Sequence, residues 1–137
     1  MAKYVVAQAR DIVPGARKLV EVCGRKLVIF NLQGEFFAIS DRCPHQGGPL
    51  SKGNLTGLVS SSTPGEYCYS RKGEMIRCPW HAWEYDIRTG KSWCDPGRVQ
   101  VRRFKVEIET GARAAEGLYA AETFRVSVED PYLLVTL

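Results

Sequence analysis

Four residues of this chain fall into two tight pairs of metal-binding side chains: Cys43-Pro44-His45 and Cys78-Pro79-Trp80-His81. A thiolate and an imidazole held one or two residues apart in a short loop project to one side, where they can share a soft or borderline metal ion. Proline lies inside both pairs, in CPHQGGPL and RCPWHAW, and two glycines follow the first, and they stiffen the loops so that the donors are in place before a metal arrives. The chain has 2 histidines and both lie in these pairs, so the candidate site is Cys43, His45, Cys78 and His81. Tetrahedral zinc accepts the same four donors, which leaves a structural Cys2His2 site, and with it a zinc-bound interaction module, open beside a redox-active iron centre.

The other cysteines read more simply. Five cysteines is an odd number, and the start MAKYVVAQAR lacks a secretory leader, which argues for metal or redox chemistry over a disulfide framework. Cys23 reads as a small buried hydrophobe in a strand-like run, Cys68 as a strand thiol and Cys94 as a loop thiol.

Strands must position the two loops. KYVVAQA, ARKLVEV, LVIFNL and FFAIS are short runs rich in β-branched and aromatic residues, separated by turn signals, and Gly24 and Gly34 can take the positive φ that tight hairpins need. Strand character returns in VQVRRFKVEIE, FRVSVED and YLLVTL, and Thr110 to Glu122 reads as a turn of helix or an irregular loop. A chain of 137 residues buries one core, so residues 1–137 are expected to form a single all-β unit, an antiparallel sandwich or barrel whose middle, about 40–97, is a small subdomain carrying both loops.

Composition narrows the classes of function. With 45% hydrophobic and 25% charged residues the chain has the make-up of a soluble globular protein, and no apolar run approaches the roughly 20 residues of a membrane helix, so a cytoplasmic location without membrane contact is expected. The net charge of +4 is mild, and Arg98, Arg102, Arg103 and Lys105 are interleaved with other residues instead of forming a dense stripe, which argues against nucleic acid as a partner. Trp80, Trp83 and Trp93 read as shields that keep water from the metal loops rather than as a stacking platform.

The paired motifs and their surroundings resemble the Rieske [2Fe-2S] proteins, in the branch that serves ring-hydroxylating oxygenases, over nearly the whole chain from about Tyr4 to Leu137. The resemblance implies one [2Fe-2S] cluster per chain, with Cys43 and Cys78 on the inner iron and His45 and His81 on the outer one. It also implies that Asp95-Pro96-Gly97 covers the cluster. Two features depart from the family: the span between His45 and Cys78 is about twice the usual one, the excess being Leu58 to Gly73, and Thr110 to Glu122 is expanded. An insertion there is tolerable because closing a longer loop costs only about 0.6 kcal/mol per doubling of length.

Two ferric ions, two sulfides and two thiolates cancel in formal charge, so histidine ligation places the potential in the range of roughly −150 to +300 mV and suits the site to passing one electron. Oxygenases of this family add a mononuclear iron held by two histidines and a carboxylate; both histidines here are already used, so the resemblance implies an electron carrier rather than an enzyme. Its implied partners are a flavin-dependent ferredoxin reductase using NAD(P)H and a terminal oxygenase; a small redox subunit of a larger oxygenase or reductase complex is the other form this could take. A quinol-oxidising relative would carry an extra cysteine in each loop, which CPHQGG and CPWHAW lack. Where high-potential relatives place a serine and a tyrosine that donate hydrogen bonds to cluster sulfurs, this chain has Trp83 and Tyr85, which implies a potential in the lower half of the range. Arg77, Arg98 and Arg102 are the basic residues expected to steer an acidic partner.

Overall fold

The computed structural model describes residues 3–44, 47–80, 83–92, 96–110, 119–120 and 131–137. Ten strands and two short 3-10 turns make up its regular structure, and no α-helix occurs among the described residues. The strands are β1 (Lys3–Gln8), β2 (Arg17–Val22), β3 (Arg25–Leu32), β4 (Glu35–Ser40), β5 (Asn54–Thr63), β6 (Glu66–Arg77), β7 (Glu84–Asp86), β8 (Arg103–Thr110), β9 (Tyr119–Ala120) and β10 (Pro131–Thr136). A seven-stranded sheet runs in the order β2-β3-β4-β8-β10-β1-β9, and β5-β6-β7 form a separate sheet of three. Pairing is antiparallel except for the short β1–β9 contact, which is parallel.

The hairpins β2–β3 and β3–β4 are closed by Cys23-Gly24 and Gln33-Gly34. Both residues of each turn have positive φ, 50° and 78° in the first and 56° and 93° in the second. Two consecutive residues of that kind make the turn whose twist matches paired strands, and glycine at the second position accepts it without steric cost. Cys23 is therefore not the buried strand residue expected from the sequence: it sits in the turn and is exposed. The apolar run starting at Val99 also overstates its strand, since β8 begins only at Arg103. Of the stretch 110–122, Thr110 ends β8 and Tyr119–Ala120 form β9; residues 111–118 and 121–122, like the expected strand FRVSVED, lie outside the described residues.

β3 is the element on which the site depends. Successive strand residues point to opposite faces, and both faces of this strand are covered, so its run LVIFNL is apolar almost throughout. Leu27 and Ile29 face a core shared with Ala7, Val20, Val22, Ala38, Phe104, Leu133 and Val135, and contributions from so many strands show the large sheet curling around its own interior. Val28, Phe30 and Leu32 face the other way, into a second core with Ile39, Leu50, Ile76, Tyr85, Ile87 and the two cysteines Cys43 and Cys78. Burial of each such aliphatic or aromatic side chain is worth about 1.5 to 3 kcal/mol, so the seat of the two cysteine loops is held by the same strand that organises the barrel. Asn31 is the buried polar residue of β3; it donates to the Ile12 carbonyl and accepts from Gly34 N–H, both at 2.8 Å.

No helix among the described residues is long and apolar enough to cross a membrane.

Candidate metal centre

Two short loops at one end of the three-stranded sheet carry the cysteines, and they are closed in the same way. The first lies between β4 and β5. Asp41 clamps its base: its carbonyl accepts from Leu50 N–H at 2.7 Å, its carboxylate from Ser51 N–H at 2.7 Å, and its own N–H donates to Lys26 on β3 at 2.9 Å. Within that base, Cys43 N–H donates to the carbonyl of Gly48, five residues on, at 2.8 Å. The second loop joins β6 to β7, whose last pair is Arg77 with Glu84; Cys78 N–H donates to the carbonyl of Trp83, again five residues on, at 2.7 Å. Each cysteine thus occupies the same position in an equivalently closed loop. In sequence, each histidine falls within the six-residue stretch that starts at its cysteine.

Both thiols are buried, at 1% and 2% exposure, and both are free of disulfides. Gly48 lies against the second loop: a β-carbon added there would stand 2.8 Å from Cys78 Sγ and 3.0 Å from Cγ of Trp80, closer than real β-carbons come. The two loops therefore meet at a point where only glycine fits. Tyr85, fully buried on β7, places its phenol oxygen 3.0 Å from Cys43 Sγ, so the second loop's strand reaches across to the first loop's cysteine.

The remaining expected site residues fall as follows. His45 and His81 lie outside the described residues, as do Trp93, Cys94 and Asp95. Trp83 is partly buried and packs on the core beneath the loops. Trp80 is 56% exposed, more open to water than the shield expected from the sequence. Pro96 is exposed, and its carbonyl accepts from Gln100 Nε2 at 2.9 Å in a turn whose base, Ser92 N–H to Val99 O at 3.0 Å, adjoins Tyr85 through a Tyr85–Ser92 bridge. That turn stands beside the tyrosine strand. Of the arginines expected to steer a partner, Arg77 is held by Glu84 at 3.1 Å and Arg102 stacks on Phe104 at 5.0 Å, while Arg98 is exposed. Three residues passed over in the sequence prove central to the local geometry: Asp41, Arg42 and Gly48. For Gly48 the signal was present in the doublet Gly47-Gly48 inside a donor loop.

This donor set fits an iron–sulfur cluster. Two thiols shielded from water, a buried phenol able to donate to one of them and a glycine-lined approach to the other are what an assembly of sulfide and thiolate sulfurs requires. The excess between the two motifs, Leu58 to Gly73, is the outer part of the β5–β6 hairpin, with Leu58 opposite Ser70 and Thr63 opposite Glu66.

Comparison with known proteins agrees with the chemistry. The family model described as Rieske [2Fe-2S] domain matches residues 2–105. The ferredoxin component of the naphthalene 1,2-dioxygenase system of Pseudomonas putida is 30% identical over 108 residues, covering 78% of this chain and 88% of that protein. Apoptosis-inducing factor 3 of Homo sapiens is 33% identical over 104 residues, 76% of this chain, but the match spans only 14% of its length. Among solved structures, the ferredoxin of carbazole 1,9a-dioxygenase from Nocardioides aromaticivorans IC177 superposes with a TM-score of 0.60 over 97% of both chains at 20% identity, a likeness of fold.

Proposed function

The chain belongs to the Rieske [2Fe-2S] family, and on that premise we propose that it is a one-electron carrier, taking electrons from an NAD(P)H-dependent flavin reductase and delivering them to a terminal oxygenase in the cytoplasm. Cys43 and Cys78 would hold the inner iron of one cluster, and His45 and His81 the outer iron. Bound there, a [2Fe-2S] cluster supplies reversible one-electron chemistry. Residues 1–137 act in this reading as a single unit, with the loops on a subdomain of about 40–97.

The observation that carries the reading is the equivalence of the two loops: each buries one cysteine, outside any disulfide, at its first position, fastened by the same N–H to carbonyl bond, and both are brought together at Gly48. The protein's own contribution is to keep the sulfurs dry, through Val28, Phe30, Leu50 and Ile76, and to offer a phenol to Cys43. The Pseudomonas relative is the ferredoxin component of a dioxygenase system, which supports transfer to an oxygenase.

Iron, zinc and acid-labile sulfide measured on freshly purified protein test this. Two irons and two sulfides per chain are expected, with colour bleached reversibly by reductant and lost when His45 or His81 is replaced by alanine. One zinc without sulfide would replace the reading by the zinc-bound interaction module. The match to a small part of apoptosis-inducing factor 3 favours a second form of the same reading, a redox unit working within a larger assembly. That form requires co-purification with a large partner in a fixed ratio.

A further inference from the structure

Beside the two cysteine loops the surface carries an indole and a guanidinium with no task in the reading above. Trp80 is 56% exposed, a large apolar surface left to water. It is not loose: Cγ and Cδ2 stand 3.0 and 3.1 Å from where a β-carbon on Gly48 would lie, and Cys78 Sγ approaches the same point. One face of the ring is thus braced on the first loop next to a cysteine sulfur. At the adjacent residue Arg42 is exposed, and its guanidinium lies over Gly47, with Nε 3.2 Å from the corresponding β-carbon position. Arg42 forms no ion pair among the described residues, whereas Arg77, the residue before the second cysteine, is held by Glu84. Consecutive glycines therefore support, side by side, an exposed cation with no ion pair among the described residues and an open indole, with Pro44 and Pro79 exposed on the same two loops.

Tryptophan and arginine are the side chains most often found to dominate protein interfaces, the first through buried area and the second through directed hydrogen bonds to carboxylates. We propose that Arg42 and Trp80 form the docking patch for the redox partner, a protein whose electron-transfer face carries carboxylates around a shallow apolar recess. The proposal rests on the electron-carrier reading. Charge decides the partner's chemistry: the chain carries a net charge of +4, and Arg42 on the first loop and Arg98 on the Pro96 turn are exposed with no ion pair among the described residues, so attraction at a distance favours an acidic face. The indole then supplies short-range adhesion at the surface of the two cysteine loops, where a partner comes nearest to the cluster.

The test uses cluster-loaded protein and, as probe, flavodoxin hydroquinone, a small acidic flavoprotein that donates single electrons. Stopped-flow rates measured against protein concentration separate half-saturation from the limiting rate. The wild-type rate should fall as salt is added. Arg42→Glu should lower the second-order rate severalfold and flatten its salt dependence, while Arg42→Lys keeps both. Trp80→Ala should raise half-saturation about tenfold with the limiting rate little changed, and Trp80→Phe should restore most of the loss. The visible spectrum and reduction potential of each variant establish that the cluster is retained; should Trp80→Ala fail to load, Trp80→Phe and Arg42→Glu still decide. Loaded variants with unaltered half-saturation and salt dependence overturn the docking patch and leave the carrier intact. Wild-type protein lacking iron and sulfide overturns the carrier reading and the patch with it.

Discussion

Replacing Tyr85 by phenylalanine isolates one bond of the site. The phenol oxygen stands 3.0 Å from Cys43 Sγ, and the side chain is fully buried, so no water can take the hydroxyl's place. A metal-bound Cys43 is a thiolate, and toward it the phenol is the donor. A hydrogen bond to a charged acceptor is worth about 1.5 to 3 kcal/mol, which for one electron corresponds to about 65 to 130 mV if the bond existed only in the reduced state. It exists in both states and is stronger where the sulfurs carry more negative charge. Taking half of the bond as the difference between states, Tyr85→Phe should lower the reduction potential by about 30 to 65 mV. The variant keeps the aromatic ring that fills the core with Val28 and Ile76, so the fold and cluster content should be preserved. Redox titration with mediators, followed through the visible spectrum at neutral pH, reads the shift directly. A loaded variant whose potential stays within a few millivolts of wild type would show that the phenol does not act on Cys43, and a rise would invert the argument.

Gly48→Ala forces a methyl group to within 2.8 Å of Cys78 Sγ and against the Trp80 ring, so it should abolish or strongly reduce cluster incorporation while the barrel still folds; iron content against the far-ultraviolet spectrum checks this, and full iron loading would refute the close approach. Glu107 accepts hydrogen bonds from Lys3 and Lys105, both at 3.2 Å, and the Lys3 bond above all holds its carboxyl below the ordinary glutamate range. Because the folded state binds this proton less readily than the unfolded chain, the stabilisation is complete above the ordinary glutamate pKa and is lost as pH falls through the lower folded value. Denaturation midpoints of wild type and Glu107→Gln should therefore differ most near neutral pH and converge in acid; a gap that stays constant with pH would sink the assignment.

The part of the site that was legible in the sequence is the part that is local. C-x-H and C-x-x-H place their candidate donors within three and four residues, which marked the two cysteine loops, and Gly24 and Gly34 announce their turns, because donor spacing and positive φ are properties of adjacent residues. Cys23 was misread for a related reason: β-branched neighbours colour a window, yet the turn needs two residues of positive φ, and the one before Gly24 had to be Cys23. Asp41 and Arg42 were invisible because their roles depend on what lies opposite them, namely Lys26 on β3 and Gly47 across the loop; for Gly48 the glycine doublet was visible but its contact with Cys78 on the other loop was not. The division of β3 between two cores was equally hidden, since a run buried on both faces looks the same whatever covers each face.

The long span between the motifs shows how a local pattern survives a large change in sequence. Loop-closure entropy makes a flexible insertion tolerable, but the excess residues here are not a flexible loop. They lie on β5 and β6, which pair from Asn54–Arg77 to Thr63–Glu66 with irregularities after Thr56 and Ser60, the first of which sets two steps along β5 against five along β6. An antiparallel ribbon lengthened in this way moves its tip and leaves its base where it was: Asn54 still pairs with Arg77, the residue before Cys78, and Leu50 to Lys52 still join the ribbon to the first loop. The distance between the two cysteine loops is therefore set at the base of the hairpin, by the Asn54–Arg77 and Arg77–Glu84 pairs, and does not depend on how many residues lie beyond them.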